Sequence, residues 1–281
     1  MTDRYGIVGH PVAHSLSPAM HNAAFRALGI EASYEVIDLE PEGFEEGFRA
    51  LAERGFRGVN VTVPHKESVL SLVDELDPVA KAIGAVNTIT FEPLGIAGTN
   101  TDADGLARSL EEASVSLAGS KVVVLGAGGA ARAAVYGVGI RGSERVTVLA
   151  RNPAQSEALA SSLTAALPCA VEHGSLDEHA KDAFADADLV IQATSATLDR
   201  SGDAVVFACS LPFDALPESA VVCDLVYRPR ETAVLKAAAA RGLRTVDGLG
   251  MLLHQATLAF ERWTGKVAPI DVMRHALETA L

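Results

Sequence analysis

Short, unbroken runs of apolar and β-branched residues alternate with helix-forming segments along most of the chain. Such runs are typical of strands that are buried on both faces of a parallel sheet. In the second half of the chain they predict strands at residues 121–125, 145–150, 187–195 and 221–227. Strands that alternate with helices in this way predict an α/β protein with a mainly parallel sheet.

The first half of the chain shows the same alternation. It predicts strands at residues 4–9, 33–38 and 59–63, and helices at residues 19–28, 42–54 and 75–82. Ser17 followed by Pro18 predicts the N-cap and first residue of the earliest helix. Residues 251–263 form an apolar helical pattern near the end of the chain. Its polar member, Gln255, is either an exposed position or part of a site.

A glycine-rich turn at residues 126–130 joins the strand at 121–125 to a helix. In dinucleotide-binding folds, glycine at position 126 permits the tight turn and Gly128 lets the backbone approach a pyrophosphate. Free amide groups and the dipole at the helix N-terminus attract phosphates. A glycine turn alone is a weak signal, but its place between a strand and a helix favours a dinucleotide site.

The residue that follows the next strand indicates which dinucleotide binds. NAD-specific sites usually place an acidic residue there, where it accepts hydrogen bonds from the ribose hydroxyl. This chain has Arg151 instead. A carboxylate would repel a 2′-phosphate, whereas a guanidinium can pair with it. An exposed arginine without a ligand is the alternative, but the pattern favours NADP.

Polar residues follow several strands of the first half: Ser15 and Ser17, then Lys66, Asn87 and Asp102. Open α/β sheets bind ligands at the carboxyl ends of their strands. Lys66 is predicted at the start of a helix, where its charge opposes the dipole and loss of its proton is favoured. Taken singly, Ser17 and Asp102 could be helix caps, Asn87 a turn residue and Lys66 an exposed side chain. Their shared position after strands favours a binding site.

Composition excludes several classes of function. The 281 residues suffice for two domains, and a formal net charge of −13 argues against nucleic acid or anionic membrane as a partner. Cys169, Cys209 and Cys223 suit neither a disulfide framework nor a metal site, so we expect buried thiols in a reducing cytoplasm. The chain shows no signal-peptide pattern and no apolar run long enough to span a membrane.

Neither a metal site nor a hydrolase is predicted. His10, His14 and His21 lie close together in the sequence, but no carboxylate or cysteine completes a ligand set, and Pro11 prevents a shared helical face. A Ser–His hydrolase that uses Ser15 and His14 would lack a nucleophile elbow.

Taken in order, eight motifs resemble the bacterial shikimate dehydrogenase family over nearly the whole chain. They lie at residues 9–18, 60–66, 84–88, 100–102, 126–130, 224–227, 247–252 and 263–265. The resemblance implies an NADP-dependent enzyme that reversibly reduces 3-dehydroshikimate to shikimate, in the chorismate route to aromatic amino acids. It also implies a Rossmann NADP-binding domain at residues 105–247 and a substrate domain at 1–104 and 248–281, with the site in the cleft between.

The resemblance also implies residue roles by motif match. Lys66 and Asp102 would form the catalytic acid–base pair. Substrate contacts would come from Ser15, Ser17 and Tyr227 at the carboxylate, and from Thr62, Asn87, Asp102 and Gln255 at the ring hydroxyls. Cofactor contacts would come from Gly126, Ala127, Gly128, Gly129, Ala130, Arg151, Asn152, Thr194, Leu225, Gly248 and Met251.

Two departures from the family pattern concern the cofactor. Ala150-Arg151-Asn152 stands where Asn-Arg-Thr is common, and Gln192 replaces a usual asparagine before Ala-Thr-Ser. They bear on the adenosine contacts and on the contacts at the nicotinamide, respectively.

The alternative functions are a quinate/shikimate dehydrogenase that prefers NAD and a non-catalytic NADPH-binding regulator. We expect a monomer or homodimer.

Overall fold

The computed structural model describes residues 2–198 and 202–281, which divide into two compact units. One unit runs up to Thr101 and also includes Leu253–Leu281, and the other unit is Asp102–Leu252. The strands of the first unit are β1 (Asp3–Gly9), β2 (Ala32–Asp38), β3 (Phe56–Val61), β4 (Glu75–Leu76), β5 (Thr88–Glu92) and β6 (Gly95–Thr99). Its helices in this stretch are α1 (Ser17–Ala27), α2 (Phe44–Glu53) and α3 (Pro78–Ile83).

The second unit opens with α4 (Asp102–Glu112). Its strands are β7 (Lys121–Leu125), β8 (Arg145–Ala150), β9 (Ala170–Ser175), β10 (Leu189–Gln192), β11 (Val221–Asp224) and β12 (Arg244–Val246). Between them lie α5 (Gly129–Ile140), α6 (Pro153–Thr164), α7 (Leu176–Phe184), α8 (Gly202–Ser210) and α9 (Ala233–Ala239). Helix α10 (Leu249–Thr264) begins in this unit and continues into the first, where α11 (Ile270–Thr279) ends the chain.

The sheet of the first unit has the strand order β2-β1-β3-β5-β6-β4. Strand β1 pairs in parallel with β2 and β3, whereas β5 runs antiparallel to β3 and β6. Its core includes Val8, Phe48, Val59 and Ile89, which are fully buried. Because β1 and β3 are parallel neighbours, their carboxyl ends lie side by side.

The sheet of the second unit has the order β12-β11-β10-β7-β8-β9, and all its pairs are parallel. Its first strand, β7, lies in the middle, because the chain adds β8 and β9 on one side and then β10 to β12 on the other. This doubly wound order has its topological switch point between β7 and β10, where such sheets bind ligands. The predicted α/β fold class is confirmed.

Two predicted elements of the first unit are wrong in detail. The predicted helix at 75–82 is a two-residue strand, β4, followed by α3, whose N-cap Asp77 accepts a hydrogen bond from the Ala80 amide at 2.7 Å. Ser17 is already helical, and Leu16 occupies the N-cap position of α1. Pro18 therefore follows the first helical residue and does not itself begin the helix.

The three cysteines are free thiols, but they are not all buried. Cys223 is buried, Cys169 is partly exposed and Cys209 is exposed, so the expectation of a buried thiol is wrong for Cys209. Burial raises the pKa of the Cys223 thiol above its ordinary range. Within residues 2–198 and 202–281, the helices are too short or too polar to cross a bilayer.

A buried imidazole makes the stability of the first unit sensitive to acid. His21 stacks on Tyr34 with ring centroids 4.3 Å apart, and neither of its ring nitrogens has a hydrogen-bond partner among the described residues. Burial lowers the pKa of His21 from 6.5 to about 3. Between these pH values the unfolded chain binds a proton that the folded protein does not, so the free energy of unfolding falls as the pH falls.

We expect this loss to amount to about 1.4 kcal/mol per pH unit below pH 6.5. His21→Phe keeps an aromatic ring that can stack on Tyr34 and removes the titrating group. Urea unfolding at pH 7 and pH 5 should show the native protein losing about 2 kcal/mol more than His21→Phe over this interval. An equal loss in both proteins would show that His21 does not cause the acid sensitivity.

Candidate functional site

The ends of β1 and β3 place the loop at residues 9–18 beside Thr62. The Thr62 amide donates a hydrogen bond to the Val8 carbonyl at 2.8 Å, and the His10 amide donates to the Val63 carbonyl at 3.0 Å. A Cβ atom on Gly9 would collide with the Thr62 side chain. Glycine is therefore needed at position 9 for the two strand ends to approach this closely.

The two serines of this loop lie at the start of α1. The Ser17 amide donates to Ser15 Oγ at 3.3 Å, and the Ser17 side chain is buried while Ser15 is partly exposed. No side chain caps α1. The alternative interpretation of Ser17 as a helix cap is therefore wrong, and two hydroxyl-bearing residues lie beside the positive end of a helix dipole, an arrangement suited to a carboxylate.

Lys66 lies in a turn and does not begin an α-helix. A five-residue 3₁₀ helix starts two residues later, at Ser68–Leu72. The predicted opposition between the Lys66 charge and a helix dipole is therefore wrong. The turn is anchored on both sides: the Val86 amide donates to the Lys66 carbonyl at 2.8 Å, and His65 Nε2 donates to the Leu39 carbonyl at 2.6 Å.

Asn87 joins three segments of the first unit. Its Oδ1 accepts a hydrogen bond from the Thr101 amide at 2.8 Å, and its Nδ2 donates to Thr101 Oγ1 at 2.9 Å. Its carbonyl accepts from the Val61 amide at 2.8 Å. The side chain is 2% exposed. Asn87 is therefore more than a turn residue, because it ties the end of β3 to the segment that leads into Asp102.

Asn60 supports Asn87 through hydrogen bonds, a role that the sequence did not predict. The Tyr34 hydroxyl donates to Asn60 Oδ1 at 2.7 Å, and Asn60 Nδ2 donates to the Asn87 carbonyl at 3.2 Å and to Thr88 Oγ1 at 3.1 Å. The buried Asn60 side chain thus holds the Asn87 backbone in place. The sequence does contain a sign of this role, because an asparagine interrupts the apolar strand between Val59 and Val61.

Asp102 is the first residue of α4 and directly follows Thr101 in the chain. The Asp102 side chain therefore belongs to the first turn of the helix and does not precede it. The Asp102 side chain is only 4% exposed. A carboxylate in the first turn of a helix is stabilised by the helix dipole.

The remaining predicted substrate residues lie on different elements. Gln255 lies on α10 in the part that belongs to the first unit, and it is 8% exposed, so the alternative of an exposed position is wrong. Tyr227 lies in the second unit, three residues after β11, and is partly exposed. The structure thus groups Gln255, but not Tyr227, in the same unit as the serines.

The histidines near the serines have separate surroundings. His10 Nδ1 lies 2.7 Å from Asp38 Oδ1, and this contact raises the pKa of His10. His21 is enclosed by aromatic rings, and His14 is exposed. Over residues 2–198 and 202–281, no group of three or more His, Cys, Asp and Glu side chains is arranged to hold a metal ion.

The glycine turn after β7 leaves open space in front of the start of α5. Gly126 has a φ of +115°, and a Cβ there would lie 3.0 Å from Thr194 Cγ2. A Cβ on Gly128 would meet no atom of the described residues within 4 Å. Helix α5 begins at Gly129 with neither a side-chain cap nor an acidic residue in its first turn. Open space in front of uncapped amides fits the phosphates of a dinucleotide.

Arg151 follows β8, the strand beside β7, and its side chain is exposed. Asn152 has a local structural role as the N-cap of α6, because its Oδ1 accepts a hydrogen bond from the Ala154 amide at 3.1 Å. Within the second unit, Arg151 and the glycine turn therefore lie at the carboxyl ends of two adjacent strands.

The other predicted cofactor residues follow β10 and β11 or lie near the start of α10. Leu225 follows β11, and its amide donates to the Gln192 carbonyl at 2.9 Å. A Cβ on Gly248 would lie 2.5 Å from the Leu225 carbonyl oxygen, so only glycine allows this approach. The second unit holds all eleven predicted cofactor residues: Gly126, Ala127, Gly128, Gly129, Ala130, Arg151, Asn152, Thr194, Leu225, Gly248 and Met251.

Sequence models of known families match almost the whole chain. Residues 7–89 match the shikimate dehydrogenase substrate binding domain, residues 106–241 match shikimate / quinate 5-dehydrogenase, and residues 248–278 match the shikimate 5′-dehydrogenase C-terminal domain.

Individual relatives agree with the family models. The shikimate dehydrogenase (NADP(+)) of Symbiobacterium thermophilum is 44% identical, over 98% of this chain and 94% of the relative. The structure of shikimate 5-dehydrogenase from Thermus thermophilus in complex with NADP(H) and shikimate is 39% identical, with a TM-score of 0.85 over 99% of this chain and 100% of that chain. Quinate dehydrogenase from Corynebacterium glutamicum in complex with NAD is 32% identical, with a TM-score of 0.87 over 99% of each chain.

Proposed function

The chain belongs to the shikimate dehydrogenase family, and from this premise we propose that Lys66 and Asp102 carry the acid–base chemistry of its reaction. The protein is an NADP-dependent oxidoreductase that interconverts 3-dehydroshikimate and shikimate, a step of aromatic amino-acid biosynthesis. NADPH supplies the hydride when it is bound. The residues of the chain must bind the substrate, orient it and move the proton.

Reduction of a ketone places negative charge on the carbonyl oxygen, and a positioned acid both stabilises that charge and supplies the proton. In the proposed mechanism the Lys66 ammonium donates a proton from Nζ to the C3 oxygen of the substrate. Asp102 orients Lys66 and shares its proton. In the reverse direction the same pair takes the proton from the C3 hydroxyl.

One observation carries this assignment. The Val86 amide donates to the Lys66 carbonyl, and the next residue, Asn87, is bonded twice through its side chain to Thr101. Asp102 follows Thr101 directly. One backbone hydrogen bond and two hydrogen bonds of the Asn87 side chain therefore link the turn of Lys66 to Thr101, the residue before Asp102. This link supports a pair that acts as a unit.

We propose the substrate and cofactor contacts from the family membership of the chain and the motif matches given above. The hydroxyls of Ser15 and Ser17 would bind the substrate carboxylate with Tyr227, and Thr62, Asn87 and Gln255 would bind the ring hydroxyls. The turn at residues 126–130 would hold the pyrophosphate, with the other cofactor contacts from Arg151, Asn152, Thr194, Leu225, Gly248 and Met251. The open space at Gly128 and the uncapped start of α5 support this placement.

Steady-state oxidation of NADPH by 3-dehydroshikimate tests the function. The same assay with NADH, and in the reverse direction with quinate in place of shikimate, tests the NAD-preferring quinate alternative. We expect the highest kcat/KM with NADP(H) and the shikimate pair. A preference for NAD and quinate would replace the proposal, and absence of turnover with every pair would favour the non-catalytic regulator.

Replacement of Arg151 should reduce the preference for NADP. A hydrogen bond to a charged group contributes about 1.5–3 kcal/mol, so Arg151→Ala should lower kcat/KM for NADPH about 10- to 100-fold. The value for NADH should change little, because NADH has no 2′-phosphate. Arg241→Ala, which removes an exposed arginine paired with Asp214 in the same unit, is the control. Equal losses with both cofactors would place the 2′-phosphate elsewhere.

The location and assembly of the protein are part of the proposal. A cytoplasmic enzyme is supported by the free thiols and by the biosynthetic reaction. The net charge of −13 supports a protein that binds neither nucleic acid nor anionic membranes. We expect a monomer or homodimer, which light scattering would distinguish.

A further inference from the structure

A buried cluster of polar side chains lies where β10 and β11 end. Gln192 and Asp224 are the last residues of these strands, they face each other in register, and both are 0% exposed. Burial of an amide and a carboxylate costs free energy unless their polar atoms are hydrogen-bonded. The partners of these two side chains therefore show what the cluster holds in place.

Gln192 holds the turn that follows β10. Its Oε1 accepts a hydrogen bond from the Thr194 amide at 2.6 Å. Its Nε2 lies 2.8 Å from Thr197 Oγ1, 3.0 Å from the Thr194 carbonyl and 3.2 Å from Asp224 Oδ1. The two hydrogens of the amide are shared among these three acceptors. A single side chain thus links both ends of residues 194–197 to the neighbouring strand.

Asp224 holds the segment that follows β11. Its Oδ1 accepts from the Val226 amide at 3.0 Å, and its Oδ2 accepts from Thr232 Oγ1 at 2.7 Å. The Thr232 hydroxyl oxygen also accepts from the Leu235 amide at 3.2 Å and so caps α9. The carboxylate therefore connects the start of this segment to the helix at its end.

The segments that follow β10 and β11 pack closely against two glycines of the proposed cofactor site, Gly126 and Gly248. Thr194 Cγ2 lies 3.0 Å from the position of a Cβ on Gly126, and the Leu225 carbonyl oxygen lies 2.5 Å from that of a Cβ on Gly248. A displacement of Thr194 by a few tenths of an ångström would alter the contact with Gly126, and one of Leu225 would alter the contact with Gly248. The hydrogen bonds of Gln192 hold the Thr194 segment, and those of Asp224 hold the segment that begins with Leu225.

We propose that Gln192, Thr197 and Asp224 are positioning residues for NADP(H): they do not contact the cofactor but hold Thr194 and Leu225 where the cofactor meets them. The inference rests on the proposed function in one respect, the assignment of Thr194 and Leu225 to the cofactor. Gln192 is the side chain of this cluster whose length can be tested by exchange for asparagine. The longer amide reaches Thr197 and Thr194 together, and asparagine is shorter by one methylene.

The test compares Gln192→Asn and Thr197→Val with the native protein. Isothermal titration calorimetry should show the NADP+ dissociation constant raised about tenfold in each variant, the equivalent of one lost hydrogen bond. Hydrogen exchange of the cofactor-free protein should be faster at the Thr194 amide, while the KM for 3-dehydroshikimate stays unchanged. Ser143→Ala is the matched control. It removes buried hydrogen bonds to Leu117 and Val138, before the start of β8, and should leave NADP+ affinity unaltered.

Faster exchange at Thr194 with unchanged NADP+ affinity would overturn the inference, since the cluster would then support the fold alone. Unchanged exchange and unchanged affinity would overturn it as well. A failure of the proposed cofactor site is seen separately, because it would leave NADP+ binding intact when Gly128 or Arg151 is replaced, whatever the result at Gln192.

Discussion

Lys66→Ala is expected to lower kcat for 3-dehydroshikimate reduction by at least about 10²-fold, since general acid catalysis contributes about 10²- to 10⁴-fold. The ammonium is the proposed source of the proton for the C3 oxygen, and methyl leaves no donor in its place. The turn itself should persist, because its anchors are the Lys66 carbonyl and the His65 ring, neither of which the substitution removes. Steady-state kinetics over a range of substrate concentrations measures the effect.

Two controls separate chemistry from binding and folding. Lys81→Ala removes an exposed lysine from α3 in the same unit and should leave kcat unchanged. The dissociation constant for shikimate should change far less than kcat in Lys66→Ala, since the loss concerns the transition state. Near-normal turnover in Lys66→Ala would remove Lys66 from the proposed mechanism.

Gly128→Val should raise the dissociation constant for NADP+ at least about 100-fold, because several charge-assisted hydrogen bonds of about 1.5–3 kcal/mol each would be blocked. Gly128 has a φ of −85° and open space around the position of a Cβ, so valine fits the protein without cofactor. The same space is where a pyrophosphate would approach the backbone. Isothermal titration calorimetry measures the change.

The matched control is Gly43→Val. Gly43 also has a negative φ, −109°, and a Cβ there would meet no described atom within 4 Å, but it lies in the other unit. Both variants should unfold at nearly the native denaturant midpoint. Native affinity for NADP+ in Gly128→Val would show that the pyrophosphate does not bind at this turn.

The parts of the fold that could be predicted are those encoded locally. Strands β7 and β8 have the predicted bounds, because uninterrupted apolar and β-branched runs end at glycine in one case and at polar residues in the other. The doubly wound unit follows from such strands and the helices between them. The position of Lys66 after β3 was equally readable from the sequence, but the predicted position of Asn87 after a strand is wrong, because Asn87 follows α3 and precedes β5.

The parts that could not be predicted depend on distant partners. Strand β4 forms because Glu75 and Leu76 pair with β6, about twenty residues later, whereas their local pattern suggested a helix. Strand β9 lies at the edge of its sheet and half of its residues are exposed. This strand and the helix α7 that follows it have no clear apolar pattern and were not assigned. Helix α8 was likewise not assigned from the sequence.

Buried polar contacts illustrate the same limit at the site. Asn60 and Asp224 stand out in the sequence as polar residues at or within apolar strands, but nothing local indicates that Tyr34 and Thr232 bind them. The glycine turn was readable because one short segment contains it. The support for Asn87 and Thr194 became visible only when the fold brought separate segments together.

Lys66 and Asp102 are proposed to act as one acid–base unit, and a double-mutant cycle on kcat measures their coupling. Lys66→Ala, Asp102→Asn and the double variant are compared with the native enzyme, with Asp104→Asn on the same helix as the control. Residues that act as a unit show strongly non-additive effects. We predict that the double variant is about as slow as Lys66→Ala alone. Losses that multiply in the double variant, or native kcat in Asp102→Asn, would show that the two residues do not act as a unit.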